Sequence, residues 1–251
     1  AQLHQAVGAL ELVSLPPATA LLRASEAAVQ RLIAKPALAD LASVELIEKA
    51  SFALVDFLAR KLAGRPVPAV ALFPQYRAVQ ALAGNDRAHP ADLWLDDTAA
   101  APAPVADAAA SACALDDALR SAAEAQTLAL MRRAAGAAAR LSALYAGLGN
   151  GRAGQADAGL WPLAAAFFEG LAQGLLPVDV YAKRAASRLL AQLRACARSG
   201  ELAADAQRLR RELLFFCAQA GTAADAPATP RLAAVRRAHG LAARAAVDYE
   251  A

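Results

Sequence analysis

Near the start of the chain, positions 3–18 read LHQAVGALELVSLPPA. His4 and Gly8 are four residues apart, so they share one face if the segment is helical. That pairing can serve phosphoryl transfer. An imidazole projecting from a helix can accept a phosphoryl group on a ring nitrogen. A small residue one turn on leaves room for the protein that delivers it, and a nearby cation offsets the added charge. Gln5 can donate a hydrogen bond and Ala9 keeps the neighbourhood small, but position 7, where a cation would help, is Val7. Three readings stay open for His4: a phosphoacceptor, a surface histidine near a chain end, or a docking-face residue without chemistry.

Other chemistry-bearing groups are dispersed. Arg184 and Arg188 share a helical face with Lys183 beside them, and Arg208 and Arg211 repeat the arrangement further on. The plain reading is solvated faces whose aliphatic stems cover apolar surface. The sharper one is a basic docking surface for an acidic partner. GLGNGRAG, 147–154, is glycine-rich, but it follows no strand pattern and lacks the lysine of a phosphate-binding loop. His4, His89 and His239 lie far apart and near no cysteine pair, so no metal centre and no cofactor is expected. His239, beside Gly240, suits a helix C-terminus. In PADLWLDD the acids Asp92, Asp96 and Asp97 suit capping or a basic partner better than hydrolysis. Three widely spaced cysteines, Cys113, Cys196 and Cys217, make neither a disulfide framework nor a metal cluster, and fit the cytoplasm.

The elements that must position these groups are helices. The chain has 251 residues, is 58% hydrophobic with alanine prominent, and has few β-branched residues. No apolar run escapes interruption by charge, so membrane insertion is not expected. No secretory signal is visible, and the chain starts without methionine, as a fragment or processed product would. A net charge of +3 is too small to argue for nucleic acid.

The periodicity predicts a helix over 3–14, interrupted at Pro16 and Pro17. The next spans 18–34, with Leu21, Leu22, Val29, Leu32 and Ile33 on one stripe around Ser25. A third is capped by Ser43, carries Ile47, Ala50, Leu54, Phe57, Leu58 and Lys61, and stops at Gly64. A shorter one starts at Pro74 and runs to Leu82. The Ala/Pro-rich stretch over 98–113 reads as a linker. Beyond it, helices are expected over 114–147, 161–174, 178–198, 202–220 and 229–242, with a loop at 147–159. Of the adjacent pairs Phe167–Phe168 and Phe215–Phe216, one ring each should turn inward. The expected organisation is all-α, in two bundles at 1–97 and 114–251. The first 112 residues hold nine basic and eleven acidic groups, and the remainder seventeen and twelve. The halves show no fixed-period similarity, which argues against a helical repeat.

LHQAVGALELVSL resembles the HxxxG segment of histidine phosphotransfer domains. QLHQAVGALELVSLPPATALLRASEAAVQRL, ASFALVDFLARKLAGRP and ALFPQYRAVQALAG together resemble the N-terminal region of PilL/ChpA-type hybrid histidine kinases, and FimL-type proteins of the same chemosensory system. YAKRAASRLLAQLR, ELLFFCAQAG and RLAAVRRAHGL extend the similarity over most of the chain. The resemblance implies an antiparallel, phosphotransfer-like bundle at the N-terminus, a second helical regulatory domain, and a role in type IV pili and twitching motility. It carries the phosphoacceptor position to His4. It also implies a lysine three residues later and a glycine near the motif's end, where Val7 and Ser14 stand. The expectation is a pseudo-phosphotransfer module that binds a protein, either a response-regulator receiver domain or another region of the same kinase. Docking would fall to Gln5, Gly8, Lys183, Arg184, Arg188, Arg208 and Arg211. The alternative is active transfer between His4 and a receiver aspartate.

Overall fold

A computed structural model describes residues 2–94, 107–221 and 229–241, and every described regular element is helical. The chain divides into two compact units, one of Ala1–Asp97 with Val247–Ala251 and one of Thr98–Ala246.

The first unit has α1 (Gln2–Leu12), α2 (Pro16–Ala34), α3 (Leu41–Leu62) and α4 (Phe73–Leu82). Helix α2 is its centre and packs on the other three, while α3 also meets α4. The apolar stripe of α2 is buried at Ala18, Leu21, Leu22, Ala24 and Ala28, with Ser25 inside it bonding to the Leu21 carbonyl. Ile33, expected on that stripe, is exposed. Helix α3 buries Ala50, Leu54 and Phe57. Its cap is Asp40 rather than Ser43: the Asp40 carboxylate accepts from the Ser43 amide at 2.8 Å and its hydroxyl at 2.7 Å. These bonds hold the Asp40 carboxyl below its usual range. Gly64, at φ +68°, ends α3 in the left-handed region as expected.

The second unit has α5 (Asp117–Met131), α6 (Ala137–Gly151), α7 (Trp161–Ala172), α8 (Val180–Ser199), α9 (Ala206–Gln219) and α10 (Pro230–Ala238). The single helix expected over 114–147 is two, broken where Arg133 and Gly136 take φ of +57° and +73°. Helix α7 is buried at ten of its twelve positions and packs against α6, α9 and α10. It is apolar all round because it has neighbours all round. All four phenylalanines of the two pairs are buried, not one of each. Stacking Tyr145 on Trp161 (6.0 Å) and Phe168 (5.5 Å), then Phe167 on Phe168 and Phe216 (both 5.0 Å), runs an aromatic core from α6 through α7 to α9.

Two expectations near residue 107 change. The glycines of GLGNG lie inside α6, not in a loop. The bare faces of Gly147 and Gly151 take the segment at 107–113, which composition assigned to a linker, while Gly149 faces Pro162 of α7. A Cβ at Gly147 would sit 2.8 Å from the Ser111 carbonyl oxygen, and one at Gly151 would overlap the Cys113 carbonyl. The Cys113 amide donates to the Gly147 carbonyl, and the Asn150 amide group donates to the carbonyls of Asp107 and Ala110, both at 2.7 Å. Positions 98–106 of the expected linker lie outside the described residues.

Candidate functional site

The α1 face answers the question that His4 raises. Val7 is the buried residue of α1 and packs towards α2. The position where a phosphotransfer helix would hold its lysine is therefore turned into the core. His4 lies on the open side, its side chain 81% exposed, with Gln5 exposed and Gly8 half-buried. Space around Gly8 is open, as nothing lies within 4 Å of a Cβ built there. The nearest charged neighbour is a carboxylate: His4 Nδ1 lies 3.4 Å from a Glu26 oxygen. Arg23, a cation on the same flank of α2, is engaged by Glu11. Like unit charges about 4 Å apart repel by about 1 kcal/mol in water and about 4 kcal/mol near a protein surface. The surroundings of His4 thus oppose a phosphoryl group there, while its exposure and the open space by Gly8 suit contact with another protein.

Of the five candidate docking cations in the second unit, two are engaged by carboxylates. Arg188 donates from Nε to Asp205 at 3.0 Å and from Nη1 to Glu212, while Arg208 Nε reaches the other Glu212 oxygen at 3.2 Å. Glu212 is 3% exposed, so both arginines serve its burial between α8 and α9. Burying that carboxylate would be prohibitive without them. Arg188 and Arg208, two of the residues expected to dock a partner, thus also hold this internal carboxylate. Lys183 is half-buried, and Arg184 and Arg211 are exposed.

Two further polar clusters escaped sequence reasoning. Asp157 accepts from Arg152, from Trp161 Nε1 at 2.7 Å and from Cys196 Sγ at 3.3 Å. Burial pushes the Asp157 carboxyl up, but these three donors together outweigh it and hold it below the usual range. Arg231 bonds to Asp107 at 2.6 Å and to Ser142 Oγ at 3.0 Å, and Glu169 accepts from the Leu232 amide at 2.8 Å. Burial raises the Glu169 carboxyl. A cavity of about 310 Å³ adjoins the Asp107–Arg231 pair, lined mainly by alanine and proline. Its two charged groups face each other, so they clasp α10 to the 107–113 segment and leave no pair for acid–base work. The only sequence signals were the Asp157–Trp161 spacing and an acid, Glu212, directly before the run LLFFC.

His89 caps a short turn, its Nδ1 accepting from the Ala91 amide at 3.0 Å while Asp92 accepts from the His89 amide. Asp96 and Asp97 lie outside the described residues. No group of metal-ligating side chains occurs among the described residues. No helix among them is long and apolar enough to cross a membrane.

Burial raises all three thiols, to about 11 for Cys196 and about 12 for Cys217. A thiol reagent at neutral pH is expected to label half-buried Cys113 first, and buried Cys196 and Cys217 only on unfolding. Stoichiometry of labelling with and without denaturant checks this.

Neither the curated proteins nor the solved structures offer a match to this chain. Residues 108–251, more than half of it, match the family model described as the FimL scaffold protein second domain. The matched region opens within the segment that lies along the α6 glycines and takes in the aromatic core and the clusters of Asp157, Glu169 and Glu212. By that match the chain belongs to the FimL scaffold protein family.

Proposed function

We propose that this chain is a cytoplasmic, non-catalytic scaffold module that regulates the signalling of type IV pili and twitching motility by binding a protein. The family match supports a scaffold. The observation that carries the non-catalytic part is at His4: a phosphotransfer-like position with Glu26 3.4 Å away and the expected lysine site occupied by buried Val7. The first unit then keeps the docking face of a phosphotransfer domain without its chemistry. Its partner is a receiver domain, or another region of the kinase that the resemblance implies, and Gln5 and Gly8 supply the contact. Lys183, Arg184, Arg188, Arg208 and Arg211 are candidate contacts for acidic groups of a partner.

The test is incubation with a phosphorylated receiver domain, with His4→Gln as control. No acid-labile phosphate on the chain is expected, and label that vanishes in His4→Gln would overturn the reading. Docking is tested by Gly8→Arg. The open space at Gly8 accommodates the side chain, so thermal stability should hold while receiver affinity falls at least tenfold, about 1.4 kcal/mol. Unchanged affinity, measured by calorimetry, would remove the α1 face from the interface.

A further inference from the structure

Helix α3 has two apolar stripes, and only one is covered. On the side opposite Ala50, Leu54 and Phe57, the residues Leu41, Val44, Phe52, Val55 and Leu62 face solvent on one stripe, with Glu48 between Val44 and Phe52 and Ala59 between Val55 and Leu62. Leu62 is 90% exposed, Leu41 75% and Phe52 67%. Propensity does not require this, since polar helix formers would serve on a solvated face. The stripe runs the length of a 22-residue helix, about 33 Å.

The residues beside the stripe indicate its occupant. One edge carries Glu45, Lys49, Asp56 and Arg60 in alternating sign, paired within the helix at 3.8 Å (Lys49–Glu45) and 2.8 Å (Arg60–Asp56). The other edge carries half-buried Ile47 and Leu58. When two helices pack antiparallel about a two-fold axis, each edge meets its own counterpart. With the axis near Phe52, Glu45 then meets the partner's Arg60, Lys49 the partner's Asp56, and Ile47 the partner's Leu58. Leu41 reaches the partner's Leu62 along the stripe. Each charge of that edge meets its opposite, and the apolar edge meets itself; Glu48, inside the stripe, is the exception. A parallel pair would set the charged edge against Ile47 and Leu58.

We propose that α3 is a self-association surface, on which a second copy of this chain docks antiparallel through the stripe from Leu41 to Leu62. A two-fold contact must be self-complementary, and the order of signs along α3 satisfies that. A contact made by one helix face lies at the small end of specific interfaces. Glu48 lies inside the stripe, opposite the partner's Val55, and limits the affinity. The pairing is independent of the docking reading for α1, because it uses neither His4, Gln5 nor Gly8.

Sedimentation of the full chain over a concentration series tests it. A reversible monomer–dimer equilibrium is expected. Val55→Glu, at an exposed site, should weaken association at least tenfold without lowering the thermal midpoint. Glu48→Leu should strengthen association by a similar factor. Orientation is read by mixing Leu41→Cys and Leu62→Cys chains under mild oxidation: mixed disulfides should predominate over either like pair. A chain monomeric throughout the series, a dimer indifferent to Val55→Glu and Glu48→Leu, or a predominance of like pairs would each overturn the proposal.

Discussion

Replacing Asp157 by alanine should destabilise the second unit by about 3–5 kcal/mol, the usual cost of removing one member of a buried ion pair. Three donors depend on that carboxylate: Arg152, the Trp161 indole and the Cys196 thiol. Arg152 is itself largely covered, and Trp161 anchors the first turn of the central helix α7. Alanine leaves a covered charge and a buried indole N–H without their acceptor. Asp157→Asn, which keeps an acceptor and loses the charge, should fall between the two. The effect carries a pH signature. The folded-state pKa of Asp157 lies below its ordinary value, so its contribution is present above about pH 4 and is lost as pH falls through the folded value. The stability gap between the native chain and Asp157→Asn should therefore narrow on acidification. Urea unfolding at neutral pH and at about pH 3 measures it, and a gap that widened in acid would contradict the assignment.

Gly151→Ala should be nearly as damaging, although helix propensity points the other way. In a helix interior, glycine to alanine is worth about 1 kcal/mol in favour of alanine. At Gly151 the new methyl would meet the Cys113 backbone, which cannot rotate aside as a side chain could. The 107–113 segment would have to lift off α6, losing the Asn150 and Cys113 hydrogen bonds and straining the Asp107–Arg231 clasp. A net loss of about 3 kcal/mol is expected, at the upper end of ordinary overpacking. Gly8→Ala is the internal control: with open space at its Cβ, it should stabilise α1 by roughly 0.5–1 kcal/mol. Opposite signs for one substitution at two helical sites would identify contact, not propensity, as the cause. Amide exchange at Cys113, which bonds to Gly147, should accelerate in Gly151→Ala alone.

Helix type and approximate extent were legible, because alanine, leucine and arginine favour helix locally and apolar spacing marks the buried side. Val7 was legible as a missing cation, but not as a core residue. Missed features were those where one residue type serves two environments. Glycine in GLGNG means a loop when solvated and a docking face when another segment lies on it. Arginine at 188 and 208 means a solvated edge unless a carboxylate such as Glu212 is buried beside it. Leucine, valine and phenylalanine on α3 give stripes on both sides, and periodicity cannot say which is covered.

By itself, then, the sequence determined the helical character of the described residues, a histidine face short of positive charge, and the similarity that places the chain in the FimL scaffold protein family. Only the tertiary structure decided that Glu26 stands beside His4, that Arg188 and Arg208 neutralise a buried acid, and that α3 keeps an open apolar side. The physical reason is range: backbone propensity and amphipathic spacing act within a few turns, whereas burial and ion pairing depend on which distant segment packs alongside.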